Sequence, residues 1–189
     1  IGSSLAGSTL SLNGPLHKNV AIDLTFAGAG NIDVNTPIDD ADFILAPFTA
    51  NAYNSLLTIN TAADVNGFIS GAPVPTRTAT LNAPLQFANA AAFNALFTPS
   101  IPLAENFTTV YFTTLTVIKG GTYTLASSNN DNEAAVWIKP TSSATFVAGD
   151  MLQYVTGTNN TAVATISLNP GTYTLLYAHR EATGGEAMT

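Results

Sequence analysis

Cysteine is absent from this 189-residue chain, and charged residues make up only 9% of it. Without cysteine the protein forms neither disulfides nor thiolate metal sites, which exported bacterial and viral proteins can do without. Soluble globular chains usually carry about 25% charged residues, so threonine, serine and asparagine must keep this surface hydrated. Such a composition is typical of extracellular proteins, and we expect the chain at a cell or virion surface.

Basic residues are also scarce. Five Lys and Arg face twelve Asp and Glu, which gives a formal net charge of -7. We therefore expect no nucleic acid and no anionic membrane surface among its partners, because both attract proteins through basic groups. The longest apolar runs, such as 90–93, are too short to span a membrane. The sequence starts at Ile1 without a basic and apolar leader, and we interpret it as processed.

The residues that most hydrolases need are few. His17 and His179 are the only histidines, and neither an H-E-x-x-H nor a G-x-S-x-G motif occurs. We expect both histidines to have surface or hydrogen-bonding roles, and the sequence predicts no enzymatic activity.

Two-residue alternation is the commonest pattern in the chain. Val20, Ile22, Leu24 and Phe26 fall on one face of "VAIDLTF", and Leu10 and Leu12 show a weaker version. Further predicted strands are "TATLNAPLQF", "FTTVYFTTLTVI", "TYTLAS", "AAVWIKP", "TAVATISL" and "TYTLLYA", with Gly- and Asn-rich turns between them. The sequence thus predicts an all-β, antiparallel β-sandwich or jelly roll. We expect this domain at 27–189, preceded by an N-terminal extension at 1–26.

One helix is predicted, at 86–97, where the sequence is rich in alanine and Phe93 and Phe97 lie four residues apart. The stretch Ser55 to Asn60 is compatible with either a short helix or a strand.

The pentapeptide "GTYTL" occurs twice, at 121–125 and 171–175. Each copy follows a Gly-containing turn, and each alternates Tyr and Leu with Thr. The flanking sequences do not match, so a tandem repeat is disfavoured. We expect two strands of one sheet that meet the same demand at a tight hairpin turn. Trp137, Tyr123, Tyr173 and Leu175 are predicted core anchors.

Residues 97 to 187 carry an order of motifs that resembles a PA14-type domain. The similarity runs from "NFTTVYFTTLTVIKGGTYTLASSNNDNEAAVWIKP" to "ATISLNPGTYTLLYAHREATGGEA" and covers about half of the chain. This family of β-sandwich modules occurs in bacterial toxins, glycosidases and yeast adhesins. The resemblance implies a β-sandwich fold for this half of the chain.

The resemblance also implies a candidate calcium site. In the sugar-binding branch of the family, two adjacent Asp residues hold calcium, and the calcium binds sugar hydroxyls. Aligned on "AAVWI", the pair falls on Asn130 and Asp131, so one of the two acids is missing. Asparagine can still offer a carbonyl oxygen to calcium. The alternative interpretation is a polar hairpin loop, since Asn and Asp are common turn residues.

Carboxylates cluster once, in "NIDVNTPIDDADF", where Asp39, Asp40 and Asp42 stand beside Asp33 and Asn35. Calcium prefers oxygen ligands of this kind, but the spacing and the closing Glu of an EF-hand are missing. A solvated acidic loop is the alternative interpretation.

Two tripeptides fit the pattern for N-glycosylation. They begin at Asn106 and Asn159. Such tripeptides arise easily by chance in a chain rich in Asn and Thr.

The two ends of the sequence suggest self-assembly. A PA14-like domain would form a further strand after "LLYAHREATGG", whereas only "EAMT" follows here. The alternating extension, with Val20, Ile22, Leu24 and Phe26 as the expected assembly strand and Leu10 and Leu12 next, has the pattern needed to complete another copy's sheet. Head-to-tail pairing of this kind builds a filament. The alternative is that this strand belongs to its own sandwich.

Two functions follow from these patterns. The first is an extracellular structural subunit that polymerises with itself into a fibre or pilus-like filament by strand exchange. The second is a calcium-dependent carbohydrate-binding adhesin module that uses Asn130 and Asp131 to bind glycans.

Overall fold

The computed structural model describes residues 9–12, 16–17, 31–34, 38–39, 42–82, 90–97, 99, 105–130, 132–157 and 160–182. These ranges contain thirteen strands and two α-helices. The strands are β1 Thr9–Leu12, β2 Leu16–His17, β3 Asn31–Val34, β4 Ile38–Asp39, β5 Phe43–Leu45, β6 Phe48–Tyr53, β7 Arg77–Leu81, β8 Phe107–Val117, β9 Gly121–Asn130, β10 Glu133–Pro140, β11 Met151–Thr156, β12 Asn160–Leu168 and β13 Gly171–Glu181, and the helices are α1 Ala62–Ser70 and α2 Ala90–Asn94.

The larger layer is a seven-stranded sheet in the order β11-β10-β13-β8-β6-β7, with β5 also pairing with β8. All its pairs are antiparallel. Strand β13 lies in the middle and pairs with β8 along its whole length, from Gly171 opposite Val117 to Glu181 opposite Phe107. Alternating Thr with aromatic and aliphatic residues gives both strands high β-propensity.

The smaller layer consists of β9 and β12, which pair antiparallel from Leu168 opposite Gly121 to Asn160 opposite Asn130. The chain is thus an all-β protein with few helices, as the sequence predicts. Pairings outside the two layers are parallel: β1 with β3, and β2 with β4.

The first hydrophobic core fills the space between the two layers and α2. Leu175 and Tyr177 of β13 lie in it, and Tyr123, Leu125 and Ile166 of the smaller layer pack against it. Phe93 and Phe97 are buried here with ring centroids 5.4 Å apart. The helix predicted at 86–97 is confirmed at 90–94, residues 95–97 are not helical, and 86–89 lie outside the described residues.

A second core lies on the other face of the seven-stranded sheet, under α1. Its centre is Trp137, which is fully buried with Ile59, Val65, Phe68 and Phe146. Of the four predicted core anchors, Trp137 and Leu175 are buried, while Tyr123 and Tyr173 are partly buried against the first core.

Helix α1 is a second helix, which the sequence analysis did not predict. It begins after Thr61, whose hydroxyl accepts a hydrogen bond from the backbone N–H of Asp64 while the Asp64 carboxylate accepts from the backbone N–H of Thr61. This capping box, with the left-handed Gly71 at the other end, defines the helix. The segment 55–60 just before α1 is neither helix nor strand.

The two copies of "GTYTL" begin β9 and β13, which lie in different layers. The expectation of two hairpin strands in one sheet is therefore wrong. In both places the chain crosses from one layer to the other, at 118–120 and at 169–170. The two crossings stack, because β8 pairs with β13 and β9 with β12. A Cβ on Gly120 would lie 3.0 Å from Cδ of Pro170, so a larger residue does not fit without movement.

The shared tyrosine stabilises both crossings in the same way. The Tyr173 hydroxyl donates to the carbonyl oxygen of Asn169, four residues upstream, at 2.9 Å. The Tyr123 hydroxyl makes the equivalent bond to the carbonyl of Lys119 and also lies 3.1 Å from that of Asp42. The pentapeptide is therefore repeated because each crossing between the layers needs a tyrosine hydroxyl to bond the carbonyl four residues upstream.

Removing these hydroxyls is expected to weaken the crossings measurably. Tyr173→Phe should lower the free energy of unfolding by about 0.5–1 kcal/mol, the net value of one exposed hydrogen bond. Tyr123→Phe should cost more, because two carbonyls share its hydroxyl. Urea denaturation checks both values, and a Tyr173→Phe protein as stable as the wild type would refute the assigned role.

The N-terminal segment is described only in part. Leu10 and Leu12 of β1 pair within the same chain, with Ile32 and Val34 of β3. Val20, Ile22, Leu24 and Phe26, the predicted assembly strand, lie outside the described residues.

Candidate functional site at the β9 to β10 end of the sandwich

Four strands of the larger layer meet at one end of the sandwich. Glu181, the last residue of β13, lies opposite Phe107 at the start of β8. Glu133 at the start of β10 lies opposite Arg180 on one side and Thr156, the end of β11, on the other. The loop from β9 to β10 crosses between the layers here. Of "SSNNDN", residues 127–130 belong to β9 and Asn132 directly precedes β10, at the end where the four paired strands meet.

A buried carboxylate supports this loop from inside. Glu181 is 0% exposed, and its Oε1 accepts a hydrogen bond from Nδ2 of Asn132 at 2.7 Å. Side chains two apart in a strand share a face, so Glu181 and His179 point to the same side as Tyr177, toward the first core. His179 Nε2 lies 3.9 Å from Glu181 Oε2, and its ring meets that of Phe107 edge-on.

Asn132 has an unusual backbone. Its φ of 61° is left-handed, a conformation that Asn tolerates better than most residues. Its carbonyl oxygen accepts a hydrogen bond from the backbone N–H of Gly157 at 2.6 Å. Asn132 is therefore held through its side chain by Glu181 and through its backbone by the end of β11.

The opposite face of the same strand ends carries a partly exposed charged cluster. The Arg180 guanidinium pairs with Oε1 of Glu133, and Oε2 of Glu133 accepts a hydrogen bond from the Tyr154 hydroxyl at 2.9 Å. Burial raises the pKa of Tyr154, and the neighbouring Glu133 carboxylate raises it further. Arg180 and Glu133 offset each other's charge, so this face offers little net charge to a ligand.

Several predicted site residues fall outside the described part of the chain. Asn130 ends β9, opposite Asn160, and only its backbone is described. Asp131, Asp40 and Asn159 lie outside the described residues. Asp39 is in β4, where its backbone pairs with that of His17.

Asp42 lies at the opposite end of the sandwich from the candidate site. Its carboxylate is 3.6 Å from the Lys119 ammonium, and its carbonyl oxygen accepts from the backbone N–H groups of Ile118 and Lys119. Strand β9 runs from this end to Asn130, a span of roughly 30 Å at 3.3 Å per residue. Asp42 is therefore too far from Asn130 for the two residues to share a calcium ion.

The first glycosylation tripeptide has a structural explanation. Asn106 is exposed, with a left-handed φ of 58°. Thr108, the residue that completes the tripeptide, is 0% exposed. Its hydroxyl accepts from the backbone N–H of Leu57 and donates to the carbonyl of Ser55, both at 2.9 Å. The fold thus requires Thr108 independently of any glycan.

Within the described ranges, no three His, Cys, Asp or Glu side chains stand close enough to share a metal ion. No helix in that part of the chain has the length and apolarity to cross a membrane.

Known proteins resemble this chain in structure only. No protein-family model and no curated protein sequence matches it. The PA14 sugar-binding domain from an RTX adhesin is 13% identical with a TM-score of 0.47, and the match covers 77% of this chain and 87% of that domain. The PA14 domain of an antifreeze protein is 12% identical with a TM-score of 0.45, covering 82% and 83%.

A GH31 α-xylosidase from Xanthomonas citri is also similar, at 11% identity and a TM-score of 0.45 over 77% of this chain. The match spans only 15% of that enzyme's length. The other two structures are PA14 domains, the family that residues 97 to 187 resemble in motif order.

Proposed function

We propose that this chain is a β-sandwich module of an extracellular or surface protein, and that it binds carbohydrate through the loop between β9 and β10. The observation that supports this most is the anchoring of Asn132. Asn132 is held by a buried carboxylate and by the backbone of Gly157. A residue that is already held in place loses less conformational entropy when it takes part in ligand binding.

The side chains at the end of β9 and in the connection to β10 have chemistry that suits a sugar. The sequence 127–132, "SSNNDN", supplies hydroxyls, amides and one carboxylate, which can donate to and accept from sugar hydroxyls. The neighbouring Glu133 and Arg180 neutralise each other, so a neutral glycan is favoured over a strongly charged one.

Calcium is compatible with this donor set, but weakly. Asn130 offers a carbonyl oxygen and Asp131 a carboxylate, and hard oxygen donors are what calcium prefers. Glu181 is engaged with Asn132 inside the sandwich. A single carboxylate suggests an affinity at the weak end of the usual range, about 10⁻⁴–10⁻³ M. Bound calcium would supply coordination positions for sugar hydroxyls.

A glycan array tests this function when probed with the purified protein in millimolar calcium and again with EGTA. The wild type is expected to bind a set of neutral glycans, and both EGTA and Asp131→Ala should reduce that binding at least about tenfold. Asp42→Asn is the matched control, since it removes an acid at the far end of the sandwich, and it should bind like the wild type. A wild-type protein that binds no glycan refutes the proposal, as does an Asp131→Ala protein with full binding.

Strand exchange is the second candidate, and one observation favours it. The smaller layer has two described strands against seven in the larger. Strand β12 lies beside β11 at one side, whereas β9 pairs with no described strand other than β12. A strand formed by Val20, Ile22, Leu24 and Phe26 of another copy could pair with that edge of β9 and build a filament.

Electron microscopy of the purified protein, with and without residues 1–26, separates the two functions. A strand-exchange subunit should form filaments that the deletion abolishes. A carbohydrate-binding module should appear as single particles and keep its glycan binding after the deletion.

A further inference from the structure

Glu181 is the most unexpected buried residue of the larger layer. It is a carboxylate with no solvent exposure, on the same face of β13 as Tyr177 of the first core. Burying a carboxylate is costly, and apolar residues of similar size commonly replace buried charged groups without loss of stability. A role other than packing therefore accounts better for a carboxylate at this position.

The contacts of Glu181 connect the middle of the sheet to the candidate loop. Its backbone pairs with that of Phe107 of β8, and this pairing fixes the position of Glu181 at the end of β13. Its Oε1 lies 2.7 Å from Nδ2 of Asn132, a residue 49 positions away and in the left-handed region. The hydrogen bond from the Asn132 amide to this carboxylate is thus made with Asn132 in the left-handed conformation.

We propose that Glu181 is a positioning residue: by holding Asn132 in the left-handed conformation, it fixes the point at which the chain enters β10 and so sets glycan affinity without touching the glycan. The part of this inference that concerns the glycan rests on the proposed function. The part that concerns the loop conformation does not.

The variants follow from the geometry. Glu181→Leu removes the acceptor while keeping an apolar side chain of similar size. Glu181→Gln keeps a carbonyl oxygen that can accept from Asn132, so it should rescue the loop. Asn132→Gly keeps a residue that tolerates positive φ but removes the amide. Asp42→Asn is the control, because it changes a carboxylate at the other end of the sandwich, where Asp42 lies 3.6 Å from the Lys119 ammonium.

The experiment combines NMR and hydrogen exchange on the full chain. In the wild type and in Glu181→Gln, the side-chain amide of Asn132 should be shifted and slow to exchange. In Glu181→Leu that signal should move to the position of a solvated amide, and backbone amides at 130–133 should exchange at least about tenfold faster. If Glu181→Leu does not fold, Asn132→Gly gives the same test for the backbone amides.

Glycan affinity is measured on the same proteins. Glu181→Leu and Asn132→Gly should bind about tenfold more weakly, and Glu181→Gln and Asp42→Asn like the wild type. Unchanged loop exchange in both Glu181→Leu and Asn132→Gly would overturn the inference, as would faster exchange with wild-type affinity. If the wild type binds no glycan, the proposed function fails, and the exchange data still decide whether Glu181 positions the loop.

Discussion

Trp137→Ala is expected to lower the free energy of unfolding by about 3–5 kcal/mol, a large fraction of the about 5–15 kcal/mol that stabilises a native protein. Trp137 is 0% exposed at the centre of the second core. Its ring meets Phe146 edge-on at 6.1 Å, and its Nε1 donates to the carbonyl of Ile59 at 3.2 Å. The substitution removes the largest buried side chain and leaves that carbonyl without its donor.

Urea denaturation followed by circular dichroism measures this loss. Trp137→Phe separates the two contributions, since it keeps an aromatic ring but not the hydrogen bond, and it should cost less than the alanine variant. Val147→Ala serves as a control for an exposed apolar residue close by in sequence, and it should change stability by less than about 0.5 kcal/mol. A Trp137→Ala protein that loses under 1 kcal/mol would contradict the assigned second core.

Thr108→Val is expected to cost about 1–3 kcal/mol, although it changes side-chain volume very little. The buried Thr108 hydroxyl bonds the N–H of Leu57 and the C=O of Ser55, and each of these two hydrogen bonds is worth about 0.5–1.5 kcal/mol net. The same hydroxyl fixes the segment that leads into α1, so the second core should loosen as well. Thermal or urea denaturation gives the value.

The chain offers two matched controls for Thr108→Val. Thr114→Val makes the same chemical change on the same strand at an exposed position, and should be neutral within about 0.5 kcal/mol. Asn106→Gly destroys the glycosylation tripeptide but keeps a residue that tolerates the left-handed φ. If Asn106→Gly destabilised the chain as much as Thr108→Val, the hydroxyl would not be the cause.

Strand patterns were predictable wherever alternation and β-propensity agreed. Strands β8, β12 and β13 appeared as runs of Thr with Val, Ile, Leu or aromatic residues, and β10 appeared as the apolar run "AAVWI". Strand β6, "FTANAY", was missed because Ala and Asn carry no strand preference. It is a strand because it pairs with β7 and β8, and such context commonly outweighs propensity.

Helix α1 had a local signal that was overlooked. Thr61 and Asp64 form a capping box, and Gly71 ends the helix. The helix has nine residues and only Val65 and Phe68 of it are buried, so its apolar periodicity was too short to detect.

The candidate site was only partly predictable. The loop around Asn130 and Asp131 came from a family resemblance, but its support from Glu181 joins residues 49 positions apart, which no local pattern reveals. The available signal was the position of Glu181 in the alternation of β13, two and four residues after His179 and Tyr177 on an inward-facing side. The sequence alone could not decide whether the acidic cluster at 39–42 is a calcium site or a solvated loop, because only the fold places Asp42 beside Lys119.

The most direct test of the account is a chemical-shift map of the ¹⁵N-labelled protein titrated with a pool of neutral mono- and disaccharides in millimolar calcium. The account predicts saturable shifts concentrated at 130–133 and at Gly157, with the amides of 117–123 at the other end unchanged. The absence of saturable shifts, or shifts centred on 117–123, would contradict carbohydrate binding by the β9 to β10 loop.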